Sequence, residues 1–196
     1  MTVPVTILIC QQVGQNMSRN EWRSIVGKMI ESAIGQPVVL SFDEPGKPSI
    51  NHPNTAISYS HTKDTLVLAL THNDVKIGID AENESRVSDI EEVQDVAFSE
   101  NELYPPETDL LSNWCLKEAA VKMHGRGFYD HNPRDIVIST DGRSFNASVL
   151  GEEIARGYFE TIKEGSLVMA ICSNKEFSST VEYWHEPNKE EIKNAA

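Results

Sequence analysis

The sequence has few cysteines and no long apolar run. Its 196 residues include three cysteines, Cys10, Cys115 and Cys172, which are far apart and odd in number. Because a disulfide framework needs paired cysteines, we expect free thiols in a reducing compartment and therefore a cytoplasmic protein. No apolar stretch approaches the ~20 residues that cross a bilayer as a helix. Residues 3–10, rich in β-branched side chains, are predicted to be a first strand and not a signal peptide.

Basic residues are also scarce. The chain has 17 Lys and Arg against 30 Asp and Glu, which gives a formal net charge of −13. A surface of this sign repels nucleic acid and anionic membranes, so we expect neither as a partner. An anionic small molecule can bind only where the few cations gather, and the positions of the lysines and arginines therefore guide the search for a site.

The hydrophobic pattern predicts an α+β protein with mostly antiparallel sheets. Helices are predicted for residues 18–35, 88–96 and 109–124, and a capping box at Ser18 and Glu21 supports the first. Strands are predicted for residues 3–10, 36–42, 56–60, 65–71, 75–82, 135–139, 144–150, 158–163 and 167–172. Residues 72–74 are interpreted as a hairpin tip. The element order suggests two halves, residues 1–75 and 76–196, with a frayed tail over 186–196.

Two carboxylates lie at the end of one predicted strand. Asp80 and Glu82 are two residues apart, so on a strand both side chains point to one face, roughly 6.5–7 Å apart along it. A hard cation such as Mg²⁺ between them would offset their repulsion. Taken alone, the pair is better explained by a strand that runs into an acidic, solvated loop, because Asn83 and Glu84 follow.

A second charged group lies on the predicted helix 109–124. Lys117 and Glu118 lie three and four residues after Trp114, and Lys122 lies four residues after Glu118, so all can share one face. Taken alone, Glu118 and Lys122 fit an ordinary surface ion pair. The Gly125-Arg126-Gly127 segment that follows is either a plain helix end or a place where the backbone approaches a ligand closely.

Two earlier segments carry further polar candidates. Lys47 lies between Gly46 and Pro48 in a stiff loop, where it can aim at a phosphate or simply face water. His61 follows Ser60 at the end of a predicted strand, and a lone histidine is more often packed or exposed than catalytic.

The order of these segments resembles the 4′-phosphopantetheinyl transferases, in particular the larger Sfp type that activates the carrier proteins of peptide and polyketide synthases. The resemblance is dense from about Lys47 to Gly127. Its parts are a Gly-Lys-Pro loop, a Ser-His pair, a Gly-Ile-Asp-Ala-Glu strand at 78–82, a Phe-Ser-x-x-Glu turn at 98–102 and a Trp-x-x-Lys-Glu-x-x-x-Lys helix at 114–122.

The resemblance implies an enzyme that transfers the phosphopantetheine arm of coenzyme A to a serine of an apo acyl or peptidyl carrier protein and releases adenosine 3′,5′-bisphosphate. The implied Mg²⁺ ligands are Asp80, Glu82 and Glu118. The implied catalytic residues are Glu118, Lys122 and Asp80. The implied coenzyme A contacts are Lys47, Ser60, His61 and Lys117. Glu102 matches an acidic residue that supports the metal or acts as the base, so Glu118, Glu102 and a water all stay open as general base.

The resemblance also implies a pseudo-dimer of two similar α/β halves that acts as a monomer, with coenzyme A in the cleft between them. Only Arg19, Arg23 and Lys28 precede Lys47 as basic residues, so contacts with the adenosine end are expected to differ from those of the family. Two alternatives remain: a relative that binds coenzyme A or a carrier protein without turnover, and an unrelated Mg²⁺-dependent phosphate enzyme. The sequence names neither the carrier, be it of fatty-acid, polyketide, polyunsaturated-lipid or peptide synthesis, nor the acceptance of acyl-coenzyme A.

Overall fold

The structure, a computed structural model, describes residues 2–11, 13–14, 17–42 and 47–186. It is an α+β protein, as the sequence predicts. Its strands are β1 Val3–Gln11, β2 Leu40–Phe42, β3 Pro48–Ile50, β4 Ala56–His61, β5 Thr65–Thr71, β6 Ile77–Asn83, β7 Ile136–Asp141, β8 Ser144–Val149, β9 Glu152–Glu164, β10 Leu167–Ser173 and β11 Phe177–Tyr183. Its helices are α1 Arg19–Ile34, α2 Val87–Glu92, α3 Gln94–Ala97 and α4 Leu110–His124, with 3₁₀ turns at Glu84–Arg86 and Pro133–Asp135. Within these described ranges, a helix with the length and apolarity needed to span a bilayer is absent.

The first sheet has the strand order β11-β1-β5-β4. Its central strand β1 pairs antiparallel with β5 and parallel with β11. Helix α1 follows β1 and begins at the predicted capping box, in which Ser18 Oγ accepts a bond from Glu21 N–H at 3.3 Å and the Glu21 carboxylate accepts one from Ser18 N–H at 2.7 Å. It ends at Gly35, whose φ of 76° is the left-handed conformation that glycine adopts without strain.

The second sheet has the order β6-β10-β9-β8-β7 and is antiparallel throughout. Helix α4 lies between β6 and the later strands in sequence, and Asp109 caps it by accepting a bond from Ser112 N–H at 2.8 Å. The two sheets share a local pattern. In the first sheet, β1 is followed by helix α1 and pairs with β5, the second strand of the β4-β5 hairpin. In the second sheet, β6 is followed by helix α4 and pairs with β10, the second strand of the β9-β10 hairpin.

The sheets pack face to face between the two long helices. Ile7 of β1 lies in one core with Ile79 of β6 and Met169 of β10, which are residues of the other sheet. The neighbouring Leu8 points to the opposite face and packs with Val26 of α1. A third core joins α4 to the outer face of the second sheet. The layers therefore run helix, sheet, sheet, helix, and the period of two along each strand divides its side chains between layers.

Several predicted elements differ from the structure. The predicted hairpin at residues 72–74 is wrong, because β5 pairs with β1 and β4 whereas β6 pairs with β10, so this turn links the two sheets. The predicted helix 88–96 is divided into α2 and α3. Strands β3 and β11 were not predicted. Residues 43–46 of the predicted loop and residues 187–196 of the tail lie outside the described residues. The three cysteines are buried free thiols, as expected.

Candidate functional site

A close approach between β6 and α4 builds the site. A Cβ atom on Gly78 would lie 2.0 Å from the carbonyl oxygen of Ala119 and 2.5 Å from the backbone nitrogen of Met123. Only glycine fits at this crossing, because real Cβ atoms do not approach backbone atoms so closely. The absence of a side chain lets the helix lie directly on the strand, next to the end of β6 that carries the two predicted carboxylates.

The ammonium group of Lys122 stands at the centre of this junction. Its Nζ atom donates to Asp80 Oδ1 at 2.6 Å and lies 3.7 Å from Glu118 Oε2. It also donates to Ser60 Oγ at 3.1 Å. A single cation thus holds carboxylates from a strand and a helix that are far apart in the sequence. The structure brings these predicted residues together.

Strand β4 completes the junction from the first sheet. Ser60 Oγ donates to Asp80 Oδ1 at 2.7 Å, and the N–H group of Ile79 donates to Ser58 Oγ at 3.1 Å. These buried bonds join β4 to β6 and therefore one sheet to the other. Asp80, which is only 3% exposed, is held where the two sheets and α4 meet.

An open cavity of about 410 Å³ lies over this junction. Both acidic and basic side chains line it. The titratable and basic residues that line it are Lys47, His61, Asp80, Glu82, Glu118, Lys122 and Arg126. In a chain with a net charge of −13, such a local group of cations is a suitable place for an anionic ligand.

The carboxylates of the cavity repel one another. Burial and the nearby Asp80 raise the pKa of Glu82 to about 7. Burial and Asp80 also raise the pKa of Glu118 well above its usual range. For Lys122, burial disfavours the charge, but Asp80 and Glu118 outweigh it and raise the pKa of the ammonium. Negative charge is therefore in excess here, and an additional cation would relieve it.

The donor set fits a hard divalent cation by its chemistry. Among the described residues, Asp80 Oδ2 is one of three buried side-chain polar atoms without a hydrogen-bond partner. Three carboxylates supply the oxygen ligands that Mg²⁺ prefers. As placed, however, no group of three His, Cys, Asp or Glu side chains within the described ranges is gathered tightly enough to hold a metal by itself. Lys122 instead lies between Asp80 and Glu118.

A second cavity of about 390 Å³ adjoins the first. It is lined by two arginines and several rings, namely Arg19, Arg23, Trp22, Phe42, Tyr59, His61 and Tyr129, together with Met17. The guanidinium of Arg23 lies 3.7 Å from the centre of the Phe42 ring, and its Nε atom is buried without a bonded partner among the described residues. Two of the three basic residues that precede Lys47 thus line this second cavity.

The other predicted ligand contacts line the first cavity. Lys47 lies beside the backbone of Gly125, where an added Cβ would be 3.2 Å from Lys47 Cδ. The His61 ring stacks on Trp22 with ring centres 4.7 Å apart. Burial lowers the pKa of His61, and the nearby Lys122 lowers it further, so the ring favours the neutral form at neutral pH.

Lys117 lies elsewhere. Its side chain is fully buried, and Nζ donates to Glu102 Oε1 at 2.7 Å and to the Ala97 carbonyl at 2.8 Å. Glu102 also accepts from Ser99 N–H at 2.7 Å and from the Tyr104 hydroxyl. Neither Lys117 nor Glu102 lines either of the two cavities described above. The structure therefore separates both from the junction at Lys122, and their pair joins the turn at residues 98–104 to α4.

Three residues of the site escaped the sequence-based search. Gly78 was recognised only as part of a motif, although its neighbours in the chain give no sign of the helix that crosses it. Tyr59 and Tyr129 line both cavities, and Tyr129 is 72% exposed. An aromatic residue two positions after the predicted Gly125-Arg126-Gly127 approach to a ligand was the one signal available for Tyr129.

Comparison with known families identifies a match over half of the described site. The model of the 4′-phosphopantetheinyl transferase superfamily matches residues 76–172, a stretch that begins just before β6 and ends within β10. It includes Asp80, Glu82, Glu118 and Lys122, whereas β4 and Lys47 lie outside it. No curated protein matches the chain.

Proposed function

Residues 76–172 make this chain a member of the 4′-phosphopantetheinyl transferase superfamily, and from that premise we propose that it transfers the phosphopantetheine arm of coenzyme A to a serine of an apo acyl or peptidyl carrier protein. Membership supports phosphopantetheine transfer in general. The proposal adds the donor, the acceptor, Mg²⁺ dependence, the larger carrier-protein-activating type and a cytoplasmic location.

One observation carries the proposal: Lys122 bridges Asp80 and Glu118 at the floor of an open cavity that Lys47 and Arg126 also line. A pyrophosphate needs cations on its oxygens, and the transfer of its phosphoryl group needs a base near the attacking hydroxyl. Carboxylates and cations face one space here. That combination suits phosphoryl transfer better than it suits a surface ion pair.

Asp80, Glu82 and Glu118 are the residues that would hold Mg²⁺. The unbonded Asp80 Oδ2 and the raised pKa values of Glu82 and Glu118 support this assignment, because the first is a buried oxygen without a partner and the other two are carboxylates buried beside another negative charge. When bound, the ion would neutralise charge on the pyrophosphate as the P–O bond breaks.

The remaining chemistry falls to side chains of the cavity. The carrier serine oxygen forms a bond to the phosphorus that bears the pantetheine arm, and the bond from that phosphorus to the bridging oxygen breaks. Glu118, or a water that it holds, accepts the serine proton. Lys122 stabilises or protonates the phosphate of the departing adenosine 3′,5′-bisphosphate.

Coenzyme A extends beyond its pyrophosphate, so its nucleotide end can reach a second cavity. We assign its phosphates to Lys47, Ser60 and His61 and its nucleotide end to the second cavity, where Arg19 and Arg23 can meet the phosphate on the ribose. Lys117 is left out of these contacts, because it is fully buried against Glu102.

A pseudo-dimer of two α/β halves is the proposed architecture, and a monomer is the proposed state. The shared order of β1-β5-β4 and β6-β10-β9, each with a long helix after its first strand, supports it. The strands of the two main sheets support the proposed boundary at residue 75, apart from β11, which follows the proposed second half in sequence but extends the first sheet.

The function is tested by coenzyme A-dependent labelling of apo carrier proteins with wild type, Asp80→Ala and Glu118→Ala. We expect transfer by wild type and at least a 100-fold slower rate for both variants, since each loses a metal ligand or the base. Glu91→Ala, in α2 and outside both cavities, is the matched control and should keep the wild-type rate. Circular dichroism checks that Asp80→Ala stays folded, and Asp80→Asn replaces it if it does not.

The same assay separates the alternatives. A chain that binds coenzyme A tightly but labels no carrier in a broad panel is the non-catalytic relative. Near-normal rates for either metal-ligand variant would mean that Asp80 or Glu118 has been assigned wrongly.

A further inference from the structure

Three rings stand where the two cavities meet. Tyr59 and His61 of β4 and Tyr129 of the segment after α4 line both spaces. Trp22 covers one face of the His61 ring, with ring centres 4.7 Å apart. A ligand that occupies both cavities must therefore pass between the end of β4 and Tyr129.

Tyr129 is unusual for its exposure. It is the most exposed aromatic residue among those described, at 72%. Its position is nevertheless defined by its own segment: the ring lies beside Gly127, at 3.6 Å from where a Cβ would be, and Arg126 pairs with Asp130 at 2.6 Å around it. An exposed aromatic ring that lines a charged cavity offers its face for contact with a ligand.

The charged residues of the two cavities indicate which part of the ligand lies next to the Tyr129 ring. The first cavity offers Lys47, Lys122 and carboxylates, which suit a pyrophosphate and a metal. The second offers Arg19 and Arg23, which suit another phosphate. Between the pyrophosphate and the 3′-phosphate of coenzyme A lies the ribose, and the base attached to that ribose is the one flat π surface of the molecule.

We propose that Tyr129 is a substrate-binding residue that stacks on the adenine of coenzyme A at the junction of the two cavities. The proposal rests on the function proposed above and adds a residue outside the matched motifs. The contact is made by the face of the ring, so the hydroxyl group is dispensable. Stacking of this kind makes a moderate contribution, and its loss should weaken nucleotide binding roughly 10-fold.

The test is calorimetric titration of coenzyme A, and separately of adenosine 3′,5′-bisphosphate, into wild type, Tyr129→Ala and Tyr129→Phe. We expect Tyr129→Ala to weaken both ligands by the same factor of roughly 10, because both carry adenine, and Tyr129→Phe to stay within about 2-fold of wild type. Tyr183→Ala is the matched control, since Tyr183 is also exposed but lies on β11 outside both cavities, and it should bind like wild type.

Each other outcome overturns the proposal. Unchanged binding by Tyr129→Ala removes the contact altogether. Weakening of coenzyme A but not of the bisphosphate moves the contact to the pantetheine arm. Unchanged ligand binding with a raised KM for the carrier protein assigns the ring to the partner.

A failure of the proposed function can be distinguished from a failure of the Tyr129 proposal. If wild type binds both nucleotides in a Tyr129-dependent way but labels no carrier, transfer is refuted and the contact stands. If wild type binds neither ligand, both proposals fall.

Discussion

At the scale of single residues, the site is an arrangement of like charges around one ammonium. Lys122 contacts Asp80 and Glu118, while Glu82 pairs with Arg86 at the rim. The ammonium does not balance three carboxylates, and burial together with the neighbouring Asp80 raises the pKa values of Glu82 and Glu118. A group placed for chemistry rather than for stability commonly shows this pattern.

The raised pKa of Glu82 predicts how stability depends on pH. The folded state holds a proton up to about pH 7, whereas the unfolded chain releases it near the ordinary value of 4.5, so between these values the folded state binds more protons. The free energy of unfolding of the metal-free protein should therefore fall as pH rises through this window. We expect the fall between pH 5 and pH 8 to be about 2 kcal/mol smaller in Glu82→Gln than in wild type.

Urea unfolding in the presence of a chelator measures this difference. The comparison with Glu82→Gln cancels other titrating groups such as His61, whose lowered pKa acts in the opposite direction. Equal slopes for the two proteins would show that Glu82 ionises normally. Added Mg²⁺ at pH 8 should stabilise wild type more than the variant, because a ligand that binds the folded state stabilises it.

At the scale of elements, the contact of α4 with β6 decides the geometry of the site. Gly78 permits it, and Gly78→Ala would force the added methyl group against the backbone of Ala119 and Met123. Since backbone atoms cannot yield as a flexible side chain does, we expect a loss of about 3 kcal/mol in the free energy of unfolding. A helix displaced by about 1 Å should also slow transfer roughly 100-fold.

The matched control for this prediction is Gly27→Ala. Gly27 lies inside α1, and an added Cβ would meet nothing within 4 Å. Because alanine favours helix more than glycine does, this variant should be about 0.5–1 kcal/mol more stable than wild type. If Gly78→Ala unfolds like Gly27→Ala and transfers at the wild-type rate, the close approach does not set the site.

The buried pair of Lys117 and Glu102 joins two other elements. Lys117→Met leaves the Glu102 carboxylate uncompensated in the interior and should cost about 3–5 kcal/mol. Adding Glu102→Gln keeps an acceptor for Ser99 N–H without the charge, so the double variant should recover much of the loss. Chemical unfolding of the two variants measures both effects.

An exposed pair provides the comparison. Lys163 and Asp109 also lie 2.7 Å apart but are about half exposed, so solvent screens the pair and Lys163→Met should cost much less stability than Lys117→Met. A stable Lys117→Met protein with a raised KM for coenzyme A would contradict the structural role and restore the ligand contact that the family resemblance implied.

At the scale of the whole molecule, short sequence patterns predicted the positions of helices and strands better than they predicted which strands pair. The capping residues Ser18 and Glu21 and the terminal Gly35 set the ends of α1, because capping depends on neighbours in the chain. Strand pairing depends on distant segments. The turn at residues 72–74 has hairpin composition but links two sheets, and β11 pairs with β1, at the opposite end of the described chain.

The site was predictable to the extent that its chemistry lies in contiguous motifs. Asp80, Glu118 and Lys122 were expected to meet, and one ammonium joins them. Lys117 was expected beside them, but neighbours on a helix are about 100° apart, and this turn directs Lys117 to Glu102 instead. The rings at the cavity junction depend on how the loop after α4 meets β4, which no local pattern encodes.

The proposed enzyme draws its site from three layers of this architecture. Strand β4 of the first sheet supplies Ser60 and His61, β6 of the second supplies Asp80 and Glu82, and α4 supplies Glu118 and Lys122, with the last two elements inside the matched family region. The cavity over this junction is thus the place where a ligand can contact all three elements. The proposed function requires that this ligand is coenzyme A and that its arm is transferred to a carrier protein.

The intact mass of apo carrier proteins after incubation with this protein, coenzyme A and Mg²⁺ tests that claim most directly. We expect a gain of one phosphopantetheine unit on at least one acyl, polyketide or peptidyl carrier. The gain should vanish when a chelator replaces Mg²⁺ or when the acceptor serine is changed to alanine. An unchanged mass for every carrier in the panel, with folded protein and saturating coenzyme A, would contradict it.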